Sequence, residues 1–185
     1  VTTPAPASVM RLLSFLKAAV LRKIDHMAAR NIPVRALLNE WCYRPIDRQL
    51  PAIDTLLDSV ARIDSGAEEA IREFLGRFRP RVIFNNAEHP EEMHLATQIS
   101  TNLYEKLSIE VDFFGFIYHD PNANQAVENR TPYLLYAGDR PEAGSIVRTA
   151  ERISGYYDRA VQDSAERVGR QAWEDYRDIS DLQSA

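Results

Sequence analysis

Apolar residues Val9, Leu12, Leu13, Leu16, Ala19, Val20 and Ile24 recur at the spacing of one helix face and predict a helix ending near Arg30. Before it, Val1-Thr2-Thr3 reads as the tail of a buried strand, closed by Pro4 and Pro6. Ser8 fits the cap or first turn of the helix. Pro33, Pro45 and Pro51 punctuate the next stretch, so 31–50 is expected to be loop mixed with short helix. Ile53, Leu56, Leu57, Val60 and Ile63 predict another helix, and Ala67 to Phe78 one more. Arg81-Val82-Ile83-Phe84 follows Pro80 as a short, mostly apolar run, the signature of a buried strand that Asn85-Asn86 ends. Pro90 opens a helix to about Lys106, with Glu91 and Glu92 favoured in its first turn by the helix dipole.

Glu110 to Ile117 reads as a second buried strand, and Tyr118-His119-Asp120-Pro121 as the loop at its C-terminal end. Asn122 to Asn129 fits a short helix and Pro132 to Tyr136 an extended apolar step. From Arg140, the residues Ile146, Ile153, Tyr157, Val161, Val168, Ala172 and Tyr176 predict one long C-terminal helix over 140–180. Strand, helix, strand, helix, strand and long helix is the rhythm of an α/β fold with a doubly wound, mostly parallel sheet and flanking helices. Three strands are few for such a sheet. The simplest reading of 1–185 is therefore the C-terminal part of one, with a helical insertion at 31–78. That insertion reads as a buttress on the first helix or as a partner-binding subdomain.

Composition narrows the chemistry. A formal net charge of −5 argues against a general grip on nucleic acid through its phosphates. One cysteine, Cys42, leaves no internal disulfide framework and no cysteine-based metal cluster; beside Trp41 it reads as a core thiol. No apolar run approaches the ~20 residues that span a bilayer. The first residues lack a basic-then-apolar leader pattern, so a cytoplasmic setting is the expectation. His89 and His94 are five apart, off the spacing that puts two ligands on one helix face, so no metal site is expected from them with His119, Glu88 and Glu92. No Ser/His/Asp arrangement has a local signature.

Three stretches carry a family likeness. VTTPAPASV at the start, VIFNNA at Val82–Ala87 and GFIYHDPNANQAVENRTPYLL at Gly115–Leu135 together resemble the MinD/ParA family of deviant P-loop ATPases, nearest to its flagellar and gliding-type members. Gly115, Ile117, Asp120, Ala126 and Pro132 fall in the family register without a gap, and the likeness covers roughly 1–25 and 80–160. It implies an ATP-dependent switch for cellular positioning that uses ATP and magnesium and dimerises around the nucleotide. It also implies that an Asn at the strand end meets the adenine and that the following loop closes over the base. By position these are Asn85 and Tyr118, His119, Asp120 and Pro121, although the family usually has Pro where this chain has Tyr118.

The residues alone leave simpler roles open. Asn85 and Asn86 fit plain strand termination, and Asp120 before Pro121 fits a turn or cap. An Asn amide does offer both donor and acceptor to a base edge, and Tyr118 a ring to stack on it. The Gly-rich lysine loop G-x-x-x-x-G-K-[ST] does not occur in 1–185. No catalytic residue is therefore expected here, and an ATPase would depend on a preceding half. The alternative is a non-catalytic α/β interaction module. A homodimer or a protein partner is expected in either case. Membrane binding through the tail is not, because its apolar stripe is thin and its acids and bases are mixed.

Overall fold

The computed structural model describes residues 1–46, 50–138 and 140–183, so 47–49 of the predicted loop and insertion lie outside the described residues. The chain divides into two compact units, one formed by Val1–Ala5, Arg81–Thr97 and Asp112–Ala185, the other by Pro6–Pro80 and Gln98–Val111.

The first unit is α/β. Strands β1 (Arg81–Ala87) and β2 (Asp112–Tyr118) pair in parallel. Thr2 forms an isolated parallel bridge to Phe84. Its N–H donates to Ile83 O at 2.9 Å, and its carbonyl accepts from Asn85 N at 2.8 Å. Thr2 is thus aligned with β1 as the strand-tail reading expects, but among the described residues the sheet proper has two strands, not three. The extended apolar step expected at Pro132 to Tyr136 is instead a short helix, Tyr133–Ala137. Proline at its N-terminal edge fits a helix start as well as an extended step, and Tyr133 is drawn into that first turn by a side-chain bond described below.

A parallel pair needs a connecting crossover; between β1 and β2 the chain makes a 3-10 turn at Pro90–Met93 and α5 (His94–Leu107), which from Gln98 onward belongs to the second unit. Val82, Phe84 and Ala87 of β1 are buried, whereas Asn85 and Asn86 are exposed. Strand β2 is buried along almost its whole length. Phe84 stacks on Phe113 with ring centres 5.8 Å apart and meets Phe116 edge-on at 6.0 Å. Such pairs add to their area burial.

The predicted 140–180 helix is two helices, α8 (Pro141–Tyr156) and α9 (Ser164–Gln183). Asp163, at φ 52°, sits in the left-handed region between them. The apolar spacing runs on through Val161, which is buried although it lies in the break, so periodicity alone passes over the interruption. The physical cause is tertiary. Ser164, at the start of α9, accepts the Phe113 N–H at 3.0 Å through its hydroxyl. Both helices pack on β2. A bulge makes Phe114 the extra residue, since Val82 pairs with Phe113 and Ile83 with Gly115. The Phe114 carbonyl is taken by Arg152 of α8 at 2.8 Å. Buried Asp175 of α9 accepts from Arg148 of α8 and from Gln171 at 3.0 Å.

The second unit is helical, with α1 (Pro6–Met27), α2 (Ile32–Cys42), α3 (Ile53–Ala61) and α4 (Ser65–Arg77). Pro33 does not break α2, because it lies in the first turn, where a missing N–H is harmless. The N-caps of α2 and α4 are joined. Asn31 Oδ1 accepts from Val34 N at 3.2 Å, Asp64 Oδ1 accepts from Ala67 N at 2.9 Å, and the Asn31 amide donates to Asp64 Oδ2 at 2.9 Å. Leu21, Ile24, Leu38, Ile53 and Ile71 are fully buried. Cys42, read from the sequence as a core thiol, is exposed. It is the last residue of α2, one step past buried Trp41, so the helix turns it off the apolar face.

The tightest approach in the α/β unit is α8 on β2. A Cβ at Gly115 would lie 2.2 Å from Thr149 Oγ1 and 2.6 Å from its Cγ2. Gly115→Ala is expected to destabilise by about 1–3 kcal/mol through overpacking, read as a lower urea midpoint. Gly115→Ala with Thr149→Ala should recover part of that loss, since the two closest atoms, Thr149 Oγ1 and Cγ2, are then removed.

Candidate functional site

The ends of β1 and β2 gather the predicted residues in the α/β unit. Crevices beyond the carboxyl ends of parallel strands are where open α/β sheets bind ligands. The five residues differ sharply in what already holds them.

Asn85 is exposed near the end of β1. Its backbone N–H is bound to Thr2, and its side-chain amide makes no hydrogen bond among the described residues. Asn86 follows at φ 62°, in the left-handed region that Asn tolerates better than most residues. It is the extra residue of a second bulge, where Asn85 pairs with Ile117 and Ala87 with Tyr118. Its Oδ1 lies 2.9 Å from His119 Nδ1. With that oxygen as acceptor, Nδ1 carries the proton and Nε2 is left as the acceptor of a neutral ring. The His119 backbone N–H donates to Ala87 O at 2.8 Å, extending the ladder one step past β2.

Tyr118 points inward. It is buried, and its hydroxyl donates to Ala172 O of α9 at 2.7 Å. Its ring meets Phe116 edge-on at 5.2 Å and lies 6.0 Å from Tyr176. Burial, with Asp175 and other acidic neighbours, pushes the phenol pKa up. The ring read as a base-stacking surface is thus a core ring, because residue parity at the end of β2 turns it toward α9.

Asp120 is buried and fully engaged. Its Oδ1 accepts from the Asn122 backbone N–H at 2.8 Å and from the Asn122 amide at 2.7 Å; its Oδ2 accepts from the Tyr133 hydroxyl at 2.6 Å. Arg140 Nη1 stands 3.9 Å from Oδ2. Burial alone raises the carboxyl pKa, but the bonds from Tyr133 and Asn122 and the charge of Arg140 outweigh it and hold the group below the ordinary carboxylate range. Asp120 therefore takes the turn role, fastening the start of α6 (Asn122–Glu128) to the start of α7 (Tyr133–Ala137). Pro121, exposed, leads into α6. Tyr133 and Arg140 escape a sequence reading, since the contact between Asp120 and Tyr133 closes only when α6 and α7 fold back.

The His and Glu residues nearby serve local structure. Glu92 accepts the backbone N–H of Glu88 at 2.9 Å and of His89 at 3.3 Å, and His94 Nδ1 lies 2.8 Å from Glu91 O. His89 meets Tyr176 edge-on at 5.8 Å. Among the described residues no three His, Cys, Asp or Glu side chains form a group that could hold a metal ion. Among the described residues no helix is long and apolar enough to cross a membrane.

The strand ends therefore present the Asn85 amide and the His119 imidazole, with the NH2 of Asn86, as accessible groups with hydrogen-bonding capacity to spare, beside the internally bonded Tyr118 and Asp120. No protein-family model, curated protein or solved structure matches this chain.

Tyr133→Phe leaves Asp120 Oδ2 with one bond fewer and is expected to cost about 1–3 kcal/mol at neutral pH. A carboxyl held low in the folded state adds stability above its unfolded pKa and loses it as pH falls through the folded one. The gap between wild type and Tyr133→Phe should therefore narrow below about pH 4, the ordinary carboxylate value. Urea unfolding across pH 3–7 checks this.

Proposed function

We propose that this chain is the adenine-side part of a MinD/ParA-like ATP-binding switch, with the strand ends of β1 and β2 facing the base. The observation that carries the reading is Asn85. Its amide is exposed, unengaged among the described residues and set near the end of the strand flanked by Thr2 and β2. One donor and one acceptor on a planar group match the edge of a purine. His119 and Pro121 bound the base from the loop after β2. Tyr118 and Asp120 act one layer below, fixing that loop rather than touching ligand.

The fit to ATP is confined to the base. Residues 1–185 hold no Gly-rich lysine loop to cradle phosphates, and the strand ends offer no metal-binding group among the described residues. No hydrolytic step is assigned to these side chains. In this reading, phosphate and magnesium binding come from a preceding segment of the native gene product. Its role is that of a positioning switch, acting as a dimer or on a protein partner.

A second reading, a non-catalytic interaction module, draws on exposed apolar side chains of α6 and α7. Val127 is 76% exposed and Leu135 77%. The two readings separate on one experiment. Intact mass of the native gene product comes first, then calorimetric titration with ATP and GTP in magnesium. The switch predicts a mass well above 21.1 kDa and micromolar ATP binding. It further predicts that Asn85→Ala weakens ATP by about tenfold, or 1.4 kcal/mol, and erodes the preference over GTP. ATP binding indifferent to Asn85→Ala would overturn the base-contact assignment. A native mass equal to this chain with no ATP binding would favour the interaction module.

A further inference from the structure

The helical unit contains a cavity of ≈ 580 Å³ lined by α1, α2 and the segment Tyr43–Ile46. That volume is in the range of small-molecule sites, which are mostly apolar with a few placed polar groups. The accessible apolar surface of this one comes from Ala18, Tyr43 and Pro45, all exposed, while Leu21, Leu38 and Ile46 of the lining are buried core. Lys17 lines it too and is only 5% exposed. Its ammonium donates to Cys42 O at 3.3 Å and to Arg44 O. An ammonium has three N–H groups, so these two bonds leave one to spend. Burial pushes the Lys17 pKa down, with Cys42 opposing it.

The charge around this amine is one-sided. Among the described residues, Lys17, Arg22 and Arg44 line the cavity against a single acid, Asp25. Asp25 is already bridged to Arg35 at 2.8 Å, and Arg44 has Glu40 only at 3.9 Å. The cavity is thus locally cationic in a chain of net charge −5. The two carbonyls that hold Lys17 turn negative dipoles toward the same place. They disfavour a dianion such as phosphate, which is better served by clustered backbone N–H groups, and leave room for one singly charged head. Since the carbonyls already fix the ammonium, little ordering is left to be done on binding.

We propose that this cavity binds a small amphipathic carboxylate, its head on the Lys17 ammonium and its apolar body along Ala18, Tyr43 and Pro45. The site is independent of the nucleotide reading and stands or falls without it. Cys42 is a built-in reporter, being exposed, in the cavity lining and the chain's one cysteine.

The test titrates the protein with decanoate below its aggregation concentration, with decanol and decylammonium as tail-matched controls. Binding is read by calorimetry and by the rate of thiol labelling at Cys42. The expected result is saturable one-to-one binding of decanoate alone, with slower Cys42 labelling. Lys17→Met should weaken it at least tenfold. Lys17→Met removes two buried bonds and can unfold the protein, so Ala18→Trp serves as the second variant. Ala18 is an exposed α1 residue in the lining, and an indole there takes up cavity space while Lys17 itself is kept. The proposal is overturned by equal protection from decanol or decylammonium, by no saturation with decanoate, or by wild-type affinity in Ala18→Trp.

Discussion

Where a side chain at position 115 would begin, the hydroxyl and methyl of Thr149 already stand, the nearest of them 2.2 Å from the ideal Cβ position. The absence of a Cβ on Gly115 lets α8 lie directly on β2, and the rest of the α/β unit is arranged around that contact. One turn along α8 from Thr149, Arg152 reaches the carbonyl of the bulged Phe114. Beyond the helix break, Ser164 takes the N–H of Phe113. A buried backbone group left unpaired costs about 1–3 kcal/mol, so a strand with only one full neighbour among the described residues is tenable here because side chains complete its bonding. The Arg148–Asp175 pair ties α8 to α9, and α9 in turn accepts the Tyr118 hydroxyl.

The same contact sorts the residues at the strand ends. With α9 fixed over β2, Tyr118 has an acceptor waiting at Ala172 and becomes a core ring. His119, one residue on, faces out and is steadied by Asn86. Asp120, next again, is drawn beneath the loop by Asn122 and Tyr133. Three consecutive residues thus alternate between support and surface. A loop whose buried members are this fully bonded holds its exposed members in one place, which is what ligand recognition asks of it.

Much of this was legible in the chain. The short apolar run after Pro80 announces β1, and the run from Glu110 to Ile117 announces β2, which in the structure extends to Tyr118. Helix spacing locates α1, α3 and α4. What was not legible depends on contacts distant in sequence. Strand β2 is buried at nearly every position, so no alternation tells which way Tyr118 faces. The break between α8 and α9 falls where apolar spacing continues, and only the Asp163–Glu166 spacing, that of a helix start, hints at it. The Tyr133–Asp120 bond spans a reversal of the chain, and nothing local marks it. Cys42 beside Trp41 illustrates the limit of neighbour reasoning, because one step around a helix separates buried from exposed.

Asn85 and Asn86 stand side by side and were open to the same plain reading as strand terminators. Their backbones and bonding separate them. Asn86 lies at φ 62° and binds His119, so its geometry asks for an Asn and its side chain has a structural duty. Asn85 lies in the ladder, with its N–H on Thr2 and its side chain exposed and unengaged among the described residues. Nothing in the packing calls for an amide there, and Asn is a poor strand former; a β-branched residue would suit the pairing better. Stability accounts for Asn86 and not for Asn85, and that residual is what gives the strand end its reading as a place where a ligand meets the protein.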